Sequence, residues 1–255
     1  MGKIAAGKIA FWEGGSLWVF SIPGTSTAPR RNAMHSHHAF QLTFSLGGKF
    51  SLHLDDRVIS GLAGLVVPDT PHALEASGLV AHLFVEPESP AGRALTQLTA
   101  GQPAKTLSVE QARDAPTLIK GAFEHPDDRR DALREVGQLI CQRIAGHVSG
   151  TELDPRVDRM IKWAKENLDR ALGINEAADG VGLSPSRASH LFVEQTGLPF
   201  RTYVLWLRLM RAVDAHTGGL SLTEAAQEAG FADSAHLSRT FRRMFGIPAA
   251  SLEMV

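Results

Sequence analysis

The chain has 255 residues, of which 44% are hydrophobic and 21% charged, and its formal net charge at pH 7 is −1. This composition is typical of a folded globular protein and excludes a disordered, collagen-like or low-complexity chain. At roughly 150 residues per domain, the length predicts two domains or one large one. The single cysteine, Cys141, excludes an intramolecular disulfide, and no apolar run reaches the roughly 18 residues of a membrane span. We therefore expect a cytoplasmic protein with no membrane partner.

The amino-terminal part of the chain is predicted to be β-structure. Residues 8–86 contain short apolar runs separated by glycine and proline, a pattern that favours strands. In one run Phe40, Leu42 and Phe44 alternate with polar residues, so one face of that strand points inward. So many short strands close most simply into a β-sandwich or a β-barrel, and no helix is expected before Pro90.

An amphipathic helix is predicted over Asp127–Ala145. Its apolar positions, at helical spacing, are Leu133, Val136, Ile140 and Ile144. Pro126 and the acids after it suit a helix N-terminus, and Gly146 is the predicted stop. The apolar face fits two partners equally well, a second copy of the chain in a homodimer or the chain's own core. The residues His147–Thr151 are predicted to be a linker.

A second group of helices is predicted from Asp154 onwards. Asp154 and Pro155 supply an N-cap and a proline at the first helical position. The remainder to Val255 is predicted to form helices separated by glycine-containing turns. Strands first and helices afterwards indicate an α+β multidomain protein. We predict a β domain at 1–105, a helical linker or dimerisation segment at 106–150, and an all-α domain at 151–255.

The helical part contains an internal repeat. Ile174–Leu183 recurs as Leu222–Phe231, and Phe192–Pro199 recurs as Phe241–Pro248 after one inserted residue. Glycine, alanine and aromatic residues coincide at matching positions of the two copies. Such self-similarity indicates two copies of one structural unit.

Each copy has the residues that a helix-turn-helix motif needs. Ala178 and Ala226 are small enough to let two helices cross closely. Gly182 and Gly230 follow four residues later, where a tight turn requires a positive φ. Each second helix is expected to end near Gly197 or Gly246. In this motif the second helix can enter the major groove of DNA.

A helix over Phe200–Ala215 is predicted to join the two motifs. Its predicted core stripe is Tyr203, Trp206, Met210 and Val213. Together with this helix, residues 154–255 resemble the DNA-binding unit of the AraC/XylS family of transcription regulators, and Glu224–Pro248 resembles the family's signature. The resemblance implies a seven-helix unit that binds double-stranded promoter DNA through two recognition helices, with RNA polymerase as a further candidate partner.

The resemblance also implies which side chains face DNA. In the first motif they are Ser186, Arg187, Ser189 and His190. In the second motif they are Ser234, Ala235, His236, Ser238 and Arg239, with Arg242 and Arg243 placed to meet phosphates. Arg239 is the best candidate base reader, because a guanidinium can bond both O6 and N7 of guanine. The expected core residues are Ala188, Phe192, Leu237 and Phe241.

The chain departs from the family pattern at three positions. Ala188 is smaller than the usual leucine, and Glu194 and Glu228 add negative charge near the expected DNA surface. We therefore expect the first motif to read DNA weakly. The alternative is a helical scaffold whose arginines are merely solvated, and the doubled motif argues against it.

A histidine cluster near the amino terminus resembles the two motifs of the cupin fold. A His-x-His pair, His35 and His37, is followed by Gln41 and Gly48, and Pro68–His72 forms the second motif. Gln41 stands where the cupin pattern has glutamate. On a strand, His35 and His37 point to the same face. With Gln41 and His72 they are predicted to form an effector pocket inside a cupin-like β-barrel.

Two interpretations of this cluster remain open. His35, His37 and His72 with the Gln41 amide oxygen could hold a divalent transition metal, and ligand type alone does not separate Zn, Ni, Cu and Fe. Alternatively they line a pocket without metal, as histidine pairs do in sensor domains of the resembled family. We favour the second interpretation and expect no required cofactor. His53 and His82 are expected on neighbouring strands, either lining the same cavity or facing solvent.

These observations predict a ligand-responsive transcription regulator. A small-molecule effector is expected to enter the β-barrel of residues 8–88, and residues 108–146 are expected to transmit its binding to the DNA-binding unit. The alternative is a metal-dependent cupin enzyme, of the dioxygenase or isomerase type, fused to helices. The histidine motif contains no carboxylate to act as a general base, and no nucleophile–base pair or phosphate loop is evident. We therefore do not expect an enzyme.

Overall fold

The computed structural model describes residues 4–23, 30–125, 130–146 and 152–255. The chain forms two compact units. The β unit contains Met1–Ser149 together with Phe241–Val255, and the helical unit contains Gly150–Thr240. The domain boundaries at 1–105, 106–150 and 151–255 stay predictions. The described helices include none that is both long and apolar enough to cross a lipid bilayer.

The β unit is built on a ten-stranded sheet. Its strands are β1 Ala5–Trp12, β2 Gly15–Ile22, β3 Arg30–Arg31, β4 Phe40–Ser45, β5 Lys49–His53, β6 Val58–Ser60, β7 Ala63–Val66, β8 Ala73–Val85, β9 Ala104–Thr106 and β10 Leu252–Met254. The main path runs β10-β1-β2-β8-β4-β7-β9. The long strand β8 pairs with β2 and β4 through its second half and with β3 and β5 through its first. The predicted amino-terminal β domain and carboxyl-terminal helices are confirmed.

The core of the β unit lies between the sheet and four helices. These are α1 Pro90–Thr99, α2 Val109–Ala112, α3 Ala115–Phe123 and α4 Arg130–Ala145. The alternation predicted in β4 buries Phe40, Leu42 and Phe44 in this core. β9 lies between α1 and α2, because Ala104 pairs with Val66 on the edge of β7.

The apolar face of α4 packs inside its own chain. Leu133, Ile140 and Ile144 are buried in the core, Val136 packs against it, and Gly137 lies against the Trp12 ring. The alternative of a dimer seam made by these residues is therefore not supported, because the face is already covered. Gly146 follows α4 with φ +69°, as predicted for the stop. The predicted start at Pro126–Asp128 and the linker His147–Thr151 lie outside the described residues.

Helices follow one another in the carboxyl-terminal part. They are α5 Pro155–Glu166, α6 Ile174–Asp179, α7 Pro185–Thr196, α8 Phe200–Thr217, α9 Leu222–Glu228 and α10 Ser234–Phe245. Asp154 caps α5 by accepting from the N–H of Arg156 at 2.8 Å, as predicted. In α8 Tyr203, Trp206 and Val213 are buried, whereas Met210 is only half-buried.

The end of the chain differs from the predicted run of helices. Residues 152–255 contain six α-helices, followed by a 3₁₀ turn at Ala249–Ser251 and then β10. β10 pairs in parallel with β1, Ala5 lying opposite Leu252. The last residues are extended because the edge of β1 offers them unpaired backbone groups, and a run this short cannot sustain a helix alone.

Candidate nucleic-acid interface and effector cavity

Both helix-turn-helix motifs are closed by the same backbone hydrogen bonds. Between α6 and α7 the N–H of Leu183 donates to the carbonyl of Ala178 at 3.0 Å. Between α9 and α10 the N–H of Phe231 donates to the carbonyl of Ala226 at 2.9 Å. This pattern is typical of a helix that ends at a residue of positive φ. The sequence repeat is therefore also a repeat of backbone geometry.

The glycine in each turn has the conformation that its position requires. φ is +68° at Gly182 and +77° at Gly230. A Cβ on Gly182 would meet nothing within 4 Å, whereas one on Gly230 would meet the carbonyl of Leu168 and the guanidinium of Arg208. Arg208 Nε donates to that same carbonyl at 3.1 Å. The second turn is therefore packed against the chain that follows α5, while the first is open.

Side-chain caps fix the starts of α7 and α10. The Ser184 hydroxyl accepts from the N–H of Arg187 at 3.4 Å, and Pro185 occupies the first turn of α7. The Asp233 carboxylate accepts from the N–H of His236 at 2.6 Å. The His236 ring then packs edge-on against Phe231 at 5.1 Å between ring centroids. Part of the His236 ring surface is therefore covered by Phe231.

The predicted DNA-facing side chains are exposed or half-buried, whereas the predicted core side chains are buried. On α7, Ser186, Arg187 and His190 are exposed and Ser189 is half-buried. On α10, Ala235, Arg239, Arg242 and Arg243 are exposed, while Ser234, His236 and Ser238 are half-buried. The expected core residues Ala188, Phe192, Leu237 and Phe241 are all buried. The side chains proposed to touch DNA thus form the outer faces of their helices.

Four arginines on these faces carry charge that the protein does not neutralise. Among the described residues no ion pair involves Arg187, Arg239, Arg242 or Arg243. Exposed guanidinium groups on these two helix faces are suited to phosphate and guanine recognition.

The predicted histidine cluster assembles in the β unit. The rings of His35 and His72 lie 4.3 Å apart between centroids, and that of His37 lies 5.8 Å from the first and 5.1 Å from the second. His35 and His37 do not lie on a regular strand, contrary to expectation. One antiparallel bridge pairs His35 with His72, and the N–H of Asp69 donates to the carbonyl of His37 at 2.8 Å, so backbone bonds bring the two motifs together.

Hydrogen bonds orient all three rings. Each Nδ1 lies 2.9 to 3.0 Å from a backbone carbonyl, of Ala33 for His35, Ala39 for His37 and Thr70 for His72. The Nε2 atoms of His37 and His72 lie 3.0 and 3.2 Å from the Gln41 side-chain amide. The other end of that amide lies 3.0 Å from the Thr43 hydroxyl. The amide is therefore the centre of the polar network.

The rings of this cluster are neutral at pH 7. Burial, reinforced by the neighbouring imidazole of His72, lowers the pKa of His35 to about 3 and that of His37 well below its usual range. Burial also lowers the pKa of His72. A neutral imidazole has a single N–H, so each ring donates either from Nδ1 to its backbone carbonyl or from Nε2, and not from both. The Gln41 Oε1 faces the Nε2 atoms of His37 and His72, and the Gln41 NH₂ group donates to the Thr43 hydroxyl.

The cluster offers imidazole ligands to a metal ion but no negatively charged ligand. One ring nitrogen from each of His35, His37 and His72 lies within 4.8 Å of the others, and all three residues are buried. Imidazole suits Zn, Cu, Ni and Fe. The fourth neighbour is the Gln41 amide, so no carboxylate in the cluster would offset the two positive charges of the ion. The donor set is thus only partly suited to a divalent cation.

A cavity of about 350 Å³ opens beside the cluster. It is lined by Ile4, Ala5, Trp18, Phe20, Ile22, Arg31, Asn32, His35, Gln41, Leu74, Ala76, His82, Phe84, Phe245, Ile247 and Leu252. Of the four predicted pocket residues, His35 and Gln41 are in this wall, whereas His37 and His72 are not. His82 lines the cavity, and its Nδ1 lies 3.1 Å from the Thr43 hydroxyl. His53 is elsewhere, bonded to Glu75 at 2.9 Å.

Most of the cavity wall was not predicted from the sequence. Trp18 and Phe84 lie on neighbouring strands β2 and β8, and their places in an alternating strand pattern could have indicated them. Among the described residues that line the cavity, Arg31 is the one with a permanent charge. No local signal indicates Phe245, Ile247 and Leu252, because they come from the far end of the chain.

Comparisons with known proteins agree with this geometry. Residues 177–253 match the family model "Helix-turn-helix domain". The chain is 30% identical over 113 residues to the transcriptional regulator YpdC of Escherichia coli, covering 42% of this chain and 39% of that protein. It is 30% identical over 144 residues to the transcriptional activator RhaS of an Enterobacter species, covering 54% and 51%. The chain thus spans about half, or less, of these relatives.

A solved structure with the same fold covers nearly the whole chain. ToxT from Vibrio cholerae superimposes with a TM-score of 0.60 at 11% identity, over 94% of this chain and 96% of that one. At this identity the likeness concerns the fold, a β domain followed by helices. With the helix-turn-helix match and the regulator relatives, it confirms the resemblance of this chain to the AraC/XylS family of transcription regulators.

Proposed function

We propose that the protein is a sequence-specific DNA-binding transcription regulator controlled by a small molecule that binds in the cavity of the β unit. The observation that carries the DNA-binding role is the doubled turn geometry, with Leu183 and Phe231 making the same bond in the two copies. A scaffold of solvated helices would not need two copies of one motif, each followed by a helix with exposed arginines.

The arginines of α10 are proposed to have different roles. Arg239 lies within the segment that enters the groove and is placed to bond a guanine edge. Arg242 and Arg243 come one turn later and are proposed to bind phosphates, which adds affinity without sequence preference. Arg187 and His190 supply fewer bidentate contacts on α7, so we propose that α10 provides most of the sequence preference.

The DNA-binding role is tested with the full chain and randomised double-stranded DNA. Repeated selection should enrich one motif, and Arg239→Ala should cost about 1–3 kcal/mol on it by relaxing a single base position. Arg57→Ala is the matched control, since Arg57 is an exposed arginine of the β unit that pairs with Asp56 at 3.0 Å. Enrichment of no motif by the wild type, or equal effects of the two variants, would contradict the proposal.

The cavity indicates the chemical class of the effector. Its wall is mainly aromatic and aliphatic, and the His35 and His82 rings are neutral because burial lowers their pKa values to about 3 and about 4. Arg31 alone carries a permanent charge among the wall residues that the structure describes. We therefore propose an apolar molecule with one anionic group. A ToxT structure described as bound to an unsaturated fatty acid, with a TM-score of 0.55 at 11% identity, supports this choice.

The effector class is tested by calorimetric titration of the full chain with decanoate and with decanol. Decanoate should bind more tightly, and Arg31→Gln should remove most of the difference between the two. Lys49→Gln is the control, because Lys49 is exposed on β5 and lies outside the cavity wall. Equal affinities for the acid and the alcohol would contradict the role of Arg31.

We propose that the histidine cluster works without a metal. The His37 and His72 rings have a hydrogen-bond partner in the Gln41 Oε1, and a divalent ion on neutral ligands in a buried site would keep its charge uncompensated. Metal analysis of the purified protein should find less than one equivalent of Zn, Ni, Cu or Fe. A stoichiometric metal that is lost in His72→Ala would contradict this and would favour the cupin-enzyme alternative.

Partners other than DNA and the effector follow from the regulator role. RNA polymerase and a second copy of the chain are proposed partners, and cytoplasmic localisation follows from access to the chromosome. A homodimer would need a surface other than the apolar face of α4, which is buried. Light scattering of the full chain with and without its selected DNA tests for the dimer.

A further inference from the structure

The last residues of the chain, Gly246–Val255, are called the tail, and they belong to the β unit. The tail begins where α10 ends, and the β unit caps that end. The Asn32 side chain donates to the carbonyl of Phe245 at 2.9 Å, and the N–H of Ala33 donates to the carbonyl of Gly246 at 3.1 Å. Two carbonyls that a helix end leaves without partners are thus satisfied by the segment before the histidine cluster.

Aromatic packing holds the last turn of α10 on the same unit. The Trp18 ring on β2 lies 4.9 Å from that of Phe245 and stacks on that of Phe241 at 6.4 Å. Phe84 and His37 also contact Phe245, at 5.7 and 5.8 Å between ring centroids. The last helical turn therefore sits on the residues that form the cavity.

The far end of the tail is held by strand pairing. β10 runs parallel to β1, the N–H of Ile4 donates to the carbonyl of Ser251 at 2.7 Å, and the N–H of Val255 donates to that of Gly7 at 3.0 Å. A short edge strand has few bonds and opens easily unless other contacts support it. Such contacts are available at the cavity, because Ile247 and Leu252 of the tail lie in its wall.

We propose that the tail is a ligand-stabilised element: it completes one wall of the cavity, so that a molecule bound there fixes the last turn of α10, the second DNA-facing helix. This inference rests on the proposed function. A ligand that fills the cavity touches Phe245, Ile247 and Leu252 only while the tail is paired. It therefore binds the paired state better and shifts the population toward that state. By reciprocity, a chain whose tail cannot pair binds the ligand more weakly.

In this proposal effector binding is transmitted to α10 through the tail, whereas the sequence suggested transmission through residues 108–146. α10 is continuous from Ser234 to Phe245, so its exposed Arg239 lies less than two turns from the capped end. A change at the Asn32 cap reaches the DNA-facing side chains through a single helix. Transmission through α4 would require movement of a helix whose apolar face is buried in the core.

The test compares two substitutions at Glu253, which lies in β10 with an exposed side chain and outside the cavity wall. Glu253→Pro removes a backbone N–H and obstructs pairing with β1, whereas Glu253→Ala leaves the backbone unchanged. The probe is 1-anilinonaphthalene-8-sulfonate, an aromatic anion, titrated into the full-length proteins. Hydrogen exchange is then followed in Ile4–Lys8, in the last turn of α10 and in β4 as a folding control.

In the wild type the probe should slow exchange in Ile4–Lys8 and in the last turn of α10. Glu253→Pro should speed exchange there, leave β4 unchanged and weaken probe binding about tenfold, within the usual range of coupling between sites. Glu253→Ala should match the wild type. If the probe binds and protects β4 and β8 but not α10, or binds Glu253→Pro as tightly as the wild type, the inference is overturned while the proposed function stands. If the wild type does not bind the probe, the inference and the proposed effector class are both overturned, whereas the DNA-binding role has its own test.

Discussion

His82 makes the β unit sensitive to acid. The residue is buried on β8 in the cavity wall, where burial, and then the nearby imidazole of His72, lowers its pKa from 6.5 to about 4. In an unfolded chain the same ring gains a proton near pH 6.5. Between these two values the unfolded state binds more protons than the folded state, so stability falls as the pH falls.

The size of this effect follows from the pKa difference. Each pH unit below 6.5 lowers the free energy of unfolding by about 1.4 kcal/mol, until the pH reaches the pKa of His82 in the folded state. Lowering the pH from about 7.5 to about 5 should therefore cost about 2 kcal/mol through His82 alone. The stability lost by pH 5 depends little on the pKa of His82 in the folded state, because that pKa already lies below 5.

Urea unfolding followed by tryptophan fluorescence at several pH values measures this cost. In His82→Gln the loss of stability between pH 7.5 and 5 should be about 2 kcal/mol smaller than in the wild type. His190→Gln is the control, because His190 is exposed on α7 and its replacement should leave the pH dependence unchanged. If His82→Gln loses as much stability between pH 7.5 and pH 5 as the wild type does, the argument from burial is wrong.

Three further predictions follow from the site geometry. Arg243→Ala should weaken binding to all DNA sequences alike and reduce the salt slope by about one, whereas Arg239→Ala should alter sequence preference; gel-shift titrations at several salt concentrations separate these outcomes. Thermal melting should show Gly182→Ala costing about 1 kcal/mol and Gly230→Ala clearly more, and equal costs would argue against the close approach to Leu168. Asn32→Ala should cost about 1–3 kcal/mol, because it removes an acceptor from Leu74 and a donor from Phe245; an unchanged midpoint would refute the cap.

The helix-turn-helix corners could be predicted because their requirements are local. Ala178 and Gly182 lie four residues apart, and the turn between them needs only a small side chain and a positive φ, both visible in the sequence. The repeat then made the prediction specific. The family resemblance, carried over by position, implied that Ala188 and Leu237 lie in the core, and both residues are buried.

The histidine cluster was predicted in composition but not in conformation. The spacing of His35 and His37 suggested a strand, yet their rings converge with His72 through a single backbone bridge and hydrogen bonds to three carbonyls. Such bonds depend on loops whose path is set by the rest of the sheet. The cavity beside the cluster was likewise beyond prediction, since most of its wall consists of apolar side chains that come from segments far apart in the sequence.

What the sequence alone determined was the class of the protein: strands followed by a duplicated bihelical motif, with the residues that cap and cross each helix. What only the tertiary structure decided was where separate segments meet. The apolar face of α4 is covered by the chain's own core, and the last residues pair with β1 and close the cavity. Periodicity shows that a face must be buried but does not name its partner, because contacts between distant residues depend on the summed packing of the whole chain.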